Sequence, residues 1–124
     1  MSTDPRRTLG QRGEHRALEH LRRRGYELVA RNHRTRHGEI DLIVCDGNAL
    51  VFVEVKTRRA SARAGTPLAA VSPAKQAQVR RMASAWLAQT AERPRVPELR
   101  FDAIGVTIDG AGRLLALDHL EGCF

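Results

Sequence analysis

The stretch His37–Arg58, HGEIDLIVCDGNALVFVEVKTR, constrains the fold more than any other. Two apolar runs flank a short turn signal, and Val51 to Lys56 is dominated by the β-branched and aromatic residues that strands prefer. Gly47-Asn48 between them is a two-residue hairpin loop of a recognised type. With that loop Asp46 faces Ala49, and counting back along both strands sets Asp41 opposite Glu54 and Glu39 opposite Lys56. Side chains alternate with a period of two, so strict alternation places all four on one face of the hairpin. Moving the loop to Asp46-Gly47 changes the partners but keeps the face. A three-residue loop breaks the parity unless a bulge restores it.

That face carries a conflict. Like charges directly opposite on a sheet repel, and both strands are otherwise apolar enough to be buried. A buried carboxylate pair either shares a proton or takes a cation. Two acids beside a lysine suit a hard divalent ion held by oxygen, with the lysine free to orient a water or meet a phosphate. The competing reading is a pair of surface carboxylates on an ordinary amphipathic hairpin. Because Asp41 and Glu54 interrupt continuous apolar runs, the metal-site reading is preferred.

A chain of 124 residues is one domain, 1–124, with room for a core that needs no staples. Twenty-one Lys and Arg against fourteen Asp and Glu give a net charge of +7, which favours a polyanionic partner, most simply nucleic acid. Aromatic residues make up only 4%, which counts against the stacking platforms of single-strand binders. Cys45 falls inside a buried strand pattern and lies far in sequence from Cys123, so no disulfide framework is suggested. The N-terminus is polar, without an apolar signal core, and no run reaches membrane-spanning length; a cytoplasmic protein without a membrane partner is expected.

Residues 1–8 read as a loose basic arm. From Leu9 to Arg24, the positions Leu9, Ala17, Leu18 and Leu21 fit one helical face, with Gly25 as the stop. Glu14 leans toward that face, although an exposed first-turn glutamate favoured by the helix dipole accounts for it more simply. His15, Glu19 and His20 match neither zincin spacing and read as solvated helix residues. Tyr26 to Ala30 is a strand and Arg31 to His37 a basic turn, with Arg34 and Arg36 as candidate nucleic-acid contacts. After the hairpin, residues 57–66 form a loop in which small residues separate Arg58, Arg59 and Arg63. Two readings of it stand level: a mobile basic segment that closes on a phosphate backbone, and a solvated loop. Ser72-Pro73 starts a helix whose core stripe is Val79, Met82, Ala83, Trp86 and Leu87, so Trp86 belongs to the core. Lys75, a cation in the first turn, sits badly with the helix dipole and hints at an anionic partner. Residues 92–98 are a linker, Arg100–Ile108 and Leu114–Asp118 are strands, and the order suggests a sheet flanked by helices.

Asp41 followed after a hairpin by Glu54-Val55-Lys56 resembles the signature of the PD-(D/E)xK nuclease superfamily. That resemblance implies an α/β, restriction-endonuclease-like αβββαβ core with a mixed central sheet flanked by helices. More narrowly, Gly13-Glu14, Gly25-Tyr26, Arg31-Asn32, Gly38 to Ile43, Phe52 to Arg58, Pro73 to Lys75 and Arg100 to Asp102 resemble the YraN-like uncharacterised protein family (UPF0102). That family is similar in fold to archaeal Holliday-junction resolvases, which are homodimeric, Mg²⁺-dependent and selective for branched DNA. The similarity implies Asp41 and Glu54 as metal ligands through their carboxylates, with the Val55 carbonyl as a further ligand. It implies Lys56 as the residue that aligns the water or stabilises charge on phosphorus, and Glu14 as the helix glutamate that completes the site. The first motif here is Ile40-Asp41 where the superfamily's name has Pro-Asp; the carboxylate is unchanged.

The expected activity is that of a metal-dependent endonuclease hydrolysing phosphodiesters in structured or branched DNA, using Mg²⁺ or Mn²⁺, with a homodimer expected from the resolvase similarity. The alternative is a non-catalytic nucleic-acid-binding or adaptor protein that keeps the nuclease fold.

Overall fold

A computed structural model of the protein describes residues 5–60 and 72–124, with side chains from residue 8 onward. Arg63, the centre of the basic loop, lies outside the described residues, as does the start of the N-terminal arm. The elements run α1 Pro5–Arg23, β1 Glu27–Thr35, β2 Gly38–Cys45, β3 Ala49–Arg59, α2 Pro73–Gln89, β4 Glu98–Ile108 and β5 Leu114–Leu120. The sheet has five strands in the order β1-β2-β3-β4-β5. Its pairings are antiparallel except for β3 with β4, which are parallel and joined through α2, as a parallel pair requires.

Helices α1 and α2 cover opposite faces. Ala17, Leu18 and Leu21 of α1 pack with Leu42, Val44, Val51 and Val53. Val79, Met82, Ala83 and Trp86 of α2 pack with Ile43, Leu50 and Phe52. Alternate residues of β2 and β3 therefore enter different cores, which is why both strands read as unbroken apolar runs. Trp86 is core as expected, meeting Phe52 edge-on at 5.9 Å between ring centroids. Phe124 stacks on Phe101 at 5.7 Å, so the apolar tail folds back on its own domain. Cys45 and Cys123 are both free thiols.

The local signals act where they stand. Gly25, at φ +91°, lets Tyr26 N–H reach the Leu21 carbonyl and Gly25 N–H the Arg22 carbonyl, both at 3.0 Å, the double bond of a Schellman stop. Gly47 takes φ +94° at the first loop position, and Asp46 Oδ1 accepts from Asn48 and Ala49 N–H at 2.9 Å. Ser72 Oγ caps α2 by accepting from Lys75 N–H at 3.1 Å. Three boundaries differ from the sequence reading. The basic turn over 31–37 is mostly strand, because β1 continues to Thr35 along β2, and the first helix begins at Pro5, inside the expected arm. Arg58 and Arg59 end β3 instead of opening a loop, since β3 stays paired with β4 as far as Arg59↔Ile108.

Gly13 decides how closely α1 approaches the sheet. A Cβ there would lie 1.6 Å from Thr57 Oγ1, so a larger residue would push α1 off β3. On β4, level with Val53, the fully buried Asp102 ties its strand to the C-terminus. Its oxygens accept from Arg100 Nε and Nη2 at 2.8 and 2.9 Å, from His119 Nε2 at 2.7 Å and from Gly122 N–H at 2.9 Å. Arg100 also donates to Tyr26 Oη at 2.6 Å, and His20 of α1 meets His119 Nδ1 at 3.0 Å. Burial alone would raise the Asp102 carboxyl, but His119, Arg100 and Gly122 outweigh it and hold it at about 2.

Asp102→Asn leaves the Arg100 guanidinium half-buried without its counter-charge, and should cost ~3–5 kcal/mol in denaturant unfolding. Gly13→Ala should lower stability by ~1–3 kcal/mol through overpacking, and pairing it with Thr57→Gly should recover part of that loss.

Candidate metal centre

Pairing between β2 and β3 runs from Cys45↔Leu50 to Leu42↔Val53 in the expected register and then stops. One residue further on, the strands part, and the Asp41 side chain fills the gap: Asp41 Oδ2 accepts from Val55 N–H at 2.8 Å. The alternation of β2 fails at the same place. Leu42 packs on the α1 side, yet Ile40 packs with Ile43 on the α2 side. Strict alternation would have kept Ile40 and Leu42 together. Asn32 lies opposite this point, between the paired positions Arg31↔Leu42 and His33↔Ile40, and its φ of 51° is left-handed. Asparagine tolerates that conformation better than most residues.

The parity change corrects the single-face expectation. Asp41 turns its carboxylate to α1, where Glu14 waits, while Glu54 meets Lys75 of α2. One carboxylate oxygen from each of Glu14, Glu39 and Asp41 lies within 4.8 Å of the others. Asn32, with its amide nitrogen turned toward the acids, donates to Glu14 Oε1 at 2.6 Å and to Glu39 Oε1 at 3.0 Å. Glu39 also pairs with Arg34 Nε at 3.4 Å, not with Lys56. A cleft of about 410 Å³ opens on this cluster, lined by Gly10, Gln11, Glu14, Asn32, Arg34 and Glu39. Glu54 is buried beside it, and its Oε1 lies 3.9 Å from Lys56 Nζ and 3.4 Å from Lys75 Nζ.

The electrostatics follow from this crowding. Burial first, then the charge of Glu54, push the Asp41 carboxyl up to about 8, with Glu14 and Glu39 adding to the rise; the Val55 N–H opposes it. Glu14 is raised as well, by burial and then by Glu39, with Arg31 and Asn32 pulling the other way. Arg34 beside Glu39 and Arg31 near Glu14 offset only part of this crowding of carboxylates in a partly dry cleft. Oxygen donors of this kind are what a hard divalent cation takes.

The structure thus brings Glu14, Asp41, Glu54 and Lys56 into one neighbourhood. Val55 enters it through its N–H, which holds Asp41. Arg34 stands at the rim against Glu39, and Arg36 and Arg59 are exposed. Arg58 is half-buried near the end of β3, and Lys75 points inward to Glu54. Sequence reasoning put Glu39 on the acidic face without assigning it to the site, and it named Asn32 only within a family motif, with no role. The available signal for Asn32 was a residue tolerant of positive φ beside a strand that must twist.

The fold and cluster together define an α/β protein of restriction-endonuclease-like architecture with acids gathered where β2 and β3 diverge. The sequence profile of the uncharacterised protein family UPF0102 matches residues 13–106. A UPF0102 protein of Symbiobacterium thermophilum is 51% identical over 108 residues, covering 87% of this chain and 89% of its own. Relatives bearing the same family name in Chlorobium chlorochromatii (47% identical, 94% of this chain and 90% of the relative) and Bordetella avium (48%, 82% and 68%) agree. The chain belongs to the UPF0102 family, the YraN-like family that its motifs resemble.

The acid cluster carries a pH signature. Asp41 has its folded value raised from 3.8 to about 8, so its contribution to stability is complete below about pH 4 and is lost as pH rises through 8. Asp102 runs the other way, stabilising above 3.8 and losing its contribution as pH falls through about 2. In metal-free buffer the melting temperature should therefore decline between pH 5 and about 8. Asp41→Asn, which keeps an acceptor for Val55 N–H, should flatten that decline and melt higher than wild type at pH 8; differential scanning calorimetry at both ends of the range checks it.

Proposed function

We propose that the protein is a metal-dependent endonuclease that hydrolyses phosphodiester bonds in structured DNA. The observation that carries this reading is the convergence of Glu14, Glu39 and Asp41 within 4.8 Å, beside buried Glu54 and its lysines. The donor set fits Mg²⁺, with Mn²⁺ as a substitute: carboxylate and carbonyl oxygens only, on rigid elements, at a cleft. Asp41 and Glu54 would hold the ion, with Glu14 and the Val55 carbonyl completing the site and Glu39 adjoining it. When bound, the ion supplies charge neutralisation at the phosphate and a water of lowered pKa.

The chain's own residues supply the rest. Val55 N–H fixes one Asp41 oxygen and so orients the other. Lys56 is 39% exposed, close enough to Glu54 to be oriented and open enough to donate to a phosphate oxygen as charge builds there. In hydrolysis the water oxygen bonds to phosphorus as one P–O ester bond breaks. The water's proton passes to the carboxylate cluster, and the departing oxygen takes one from solvent. Arg34, Arg36, Arg58, Arg59 and Arg63 are assigned to the phosphate backbone, which suits the +7 charge.

No helix among the described residues is long and apolar enough to cross a membrane. We place the protein in the cytoplasm with its DNA, as the homodimer that resolvase similarity implies; light scattering reads that state directly.

Duplex, flap, fork and four-way substrates should be incubated with Mg²⁺ or Mn²⁺ beside Asp41→Asn and Lys56→Ala. Lys56→Ala should cut ~10²-fold more slowly or worse while still binding DNA, and Asp41→Asn should lose metal binding. Mg²⁺-dependent cutting by rigorously purified Lys56→Ala at the wild-type rate would defeat the mechanism. Binding without cutting of any substrate would instead support an adaptor that keeps the nuclease fold. Affinity should fall as salt rises, because phosphate contacts release counterions.

A further inference from the structure

Glu54 has a side chain only 7% exposed, and a single oxygen, Oε1, faces two ammonium groups. Lys56 comes from two residues along the same strand. Lys75 comes from another element, is the closer of the two and is 28% exposed. The first turn of a helix is a poor place for a cation, and α2 carries no acidic side chain there to offset it. The attraction of Glu54 decides where this lysine points. The start of α2 is in turn anchored to the hairpin: Gln78 donates its amide to the His37 carbonyl, and Gly38 makes room, since a Cβ there would come within 2.6 Å of Gln78 Nε2.

Building on the metal-site reading above, we propose that Lys75 is an internal counter-cation that competes with the divalent ion for Glu54 and, once displaced, binds the substrate phosphate. In the metal-free protein Lys75 neutralises Glu54, so that the acidic site is not left with a bare buried charge. A dication on the same carboxylate repels the ammonium at short range. Lys75 has a flexible four-carbon stem and room to leave, whereas Lys56 stays beside Glu54 by its place on β3. Glu54 joins the acid cluster from the α2 face, so an ammonium displaced from it is placed to meet a phosphate that reaches the site from that face. Lys75 thereby couples the arrival of the ion to the capture of the DNA backbone.

Mn²⁺ binding to the full chain without DNA, followed by electron paramagnetic resonance, tests the competition in wild type, Lys75→Ala and Lys75→Arg. Lys75→Ala should bind Mn²⁺ roughly tenfold more tightly, and Lys75→Arg, which keeps the charge, should stay near wild type. With Ca²⁺ present, Lys75→Ala should bind a DNA duplex several-fold more weakly, with a salt slope reduced by about one. A purely structural lysine predicts the opposite metal result, a lower melting temperature with weaker Mn²⁺ binding. Equal Mn²⁺ affinity in wild type and folded Lys75→Ala overturns this inference and leaves the metal site standing. Failure of wild type to bind Mn²⁺ overturns both.

Discussion

The hydrogen bond from Val55 N–H to Asp41 organises this molecule. A ladder between β2 and β3 would normally continue with backbone carbonyls, but here a side chain takes over the role of acceptor. The strands can then part without orphaning a buried N–H, which would cost as much as a lost hydrogen bond. Parting opens the cleft, and the carboxylate that permits it is also a member of the acid cluster. The price of the arrangement is an Asp41 whose charge is poorly tolerated, buried as it is among acidic neighbours.

Two cores on opposite sides of one sheet hold this point in place. Gly13 brings α1 into contact with Thr57, which places Glu14 next in line to reach Asp41. On the other face α2 is seated by its Ser72 cap and by Gln78, and delivers Lys75 to Glu54. The acids are therefore approached from both faces of the sheet, by a glutamate on one side and a lysine on the other. On the neighbouring strand β4, Asp102 gathers Arg100, His119 and the chain end into a network that belongs to stability. A buried acid surrounded by donors has its carboxyl held low, whereas one set among other acids has it pushed up.

Much of the fold was legible because its signals are local. The Gly47-Asn48 turn, the Gly25 stop, the Ser72-Pro73 start and the Val79–Trp86 stripe each act within a few residues. Arg31 to Thr35 was misread as a turn because charged residues on an edge strand resemble a loop until a partner strand is known. The register of the hairpin was countable, and Leu42↔Val53 confirms the count. The single acidic face failed because counting assumes unbroken alternation, and the twist at Asn32 and Asp41 depends on β1, which the count did not include.

From sequence alone came the identity of the groups that matter: the order of elements, the acids Asp41 and Glu54, the lysine at 56 and the basic balance of the chain. These follow from chemistry carried by neighbouring residues. Which acids meet, and which lysine holds Glu54, was decided only in three dimensions. Glu14, Asn32, Glu39 and Lys75 lie on four separate segments, and no local pattern specifies how closely a helix lacking one Cβ settles on a strand, or where two strands stop pairing.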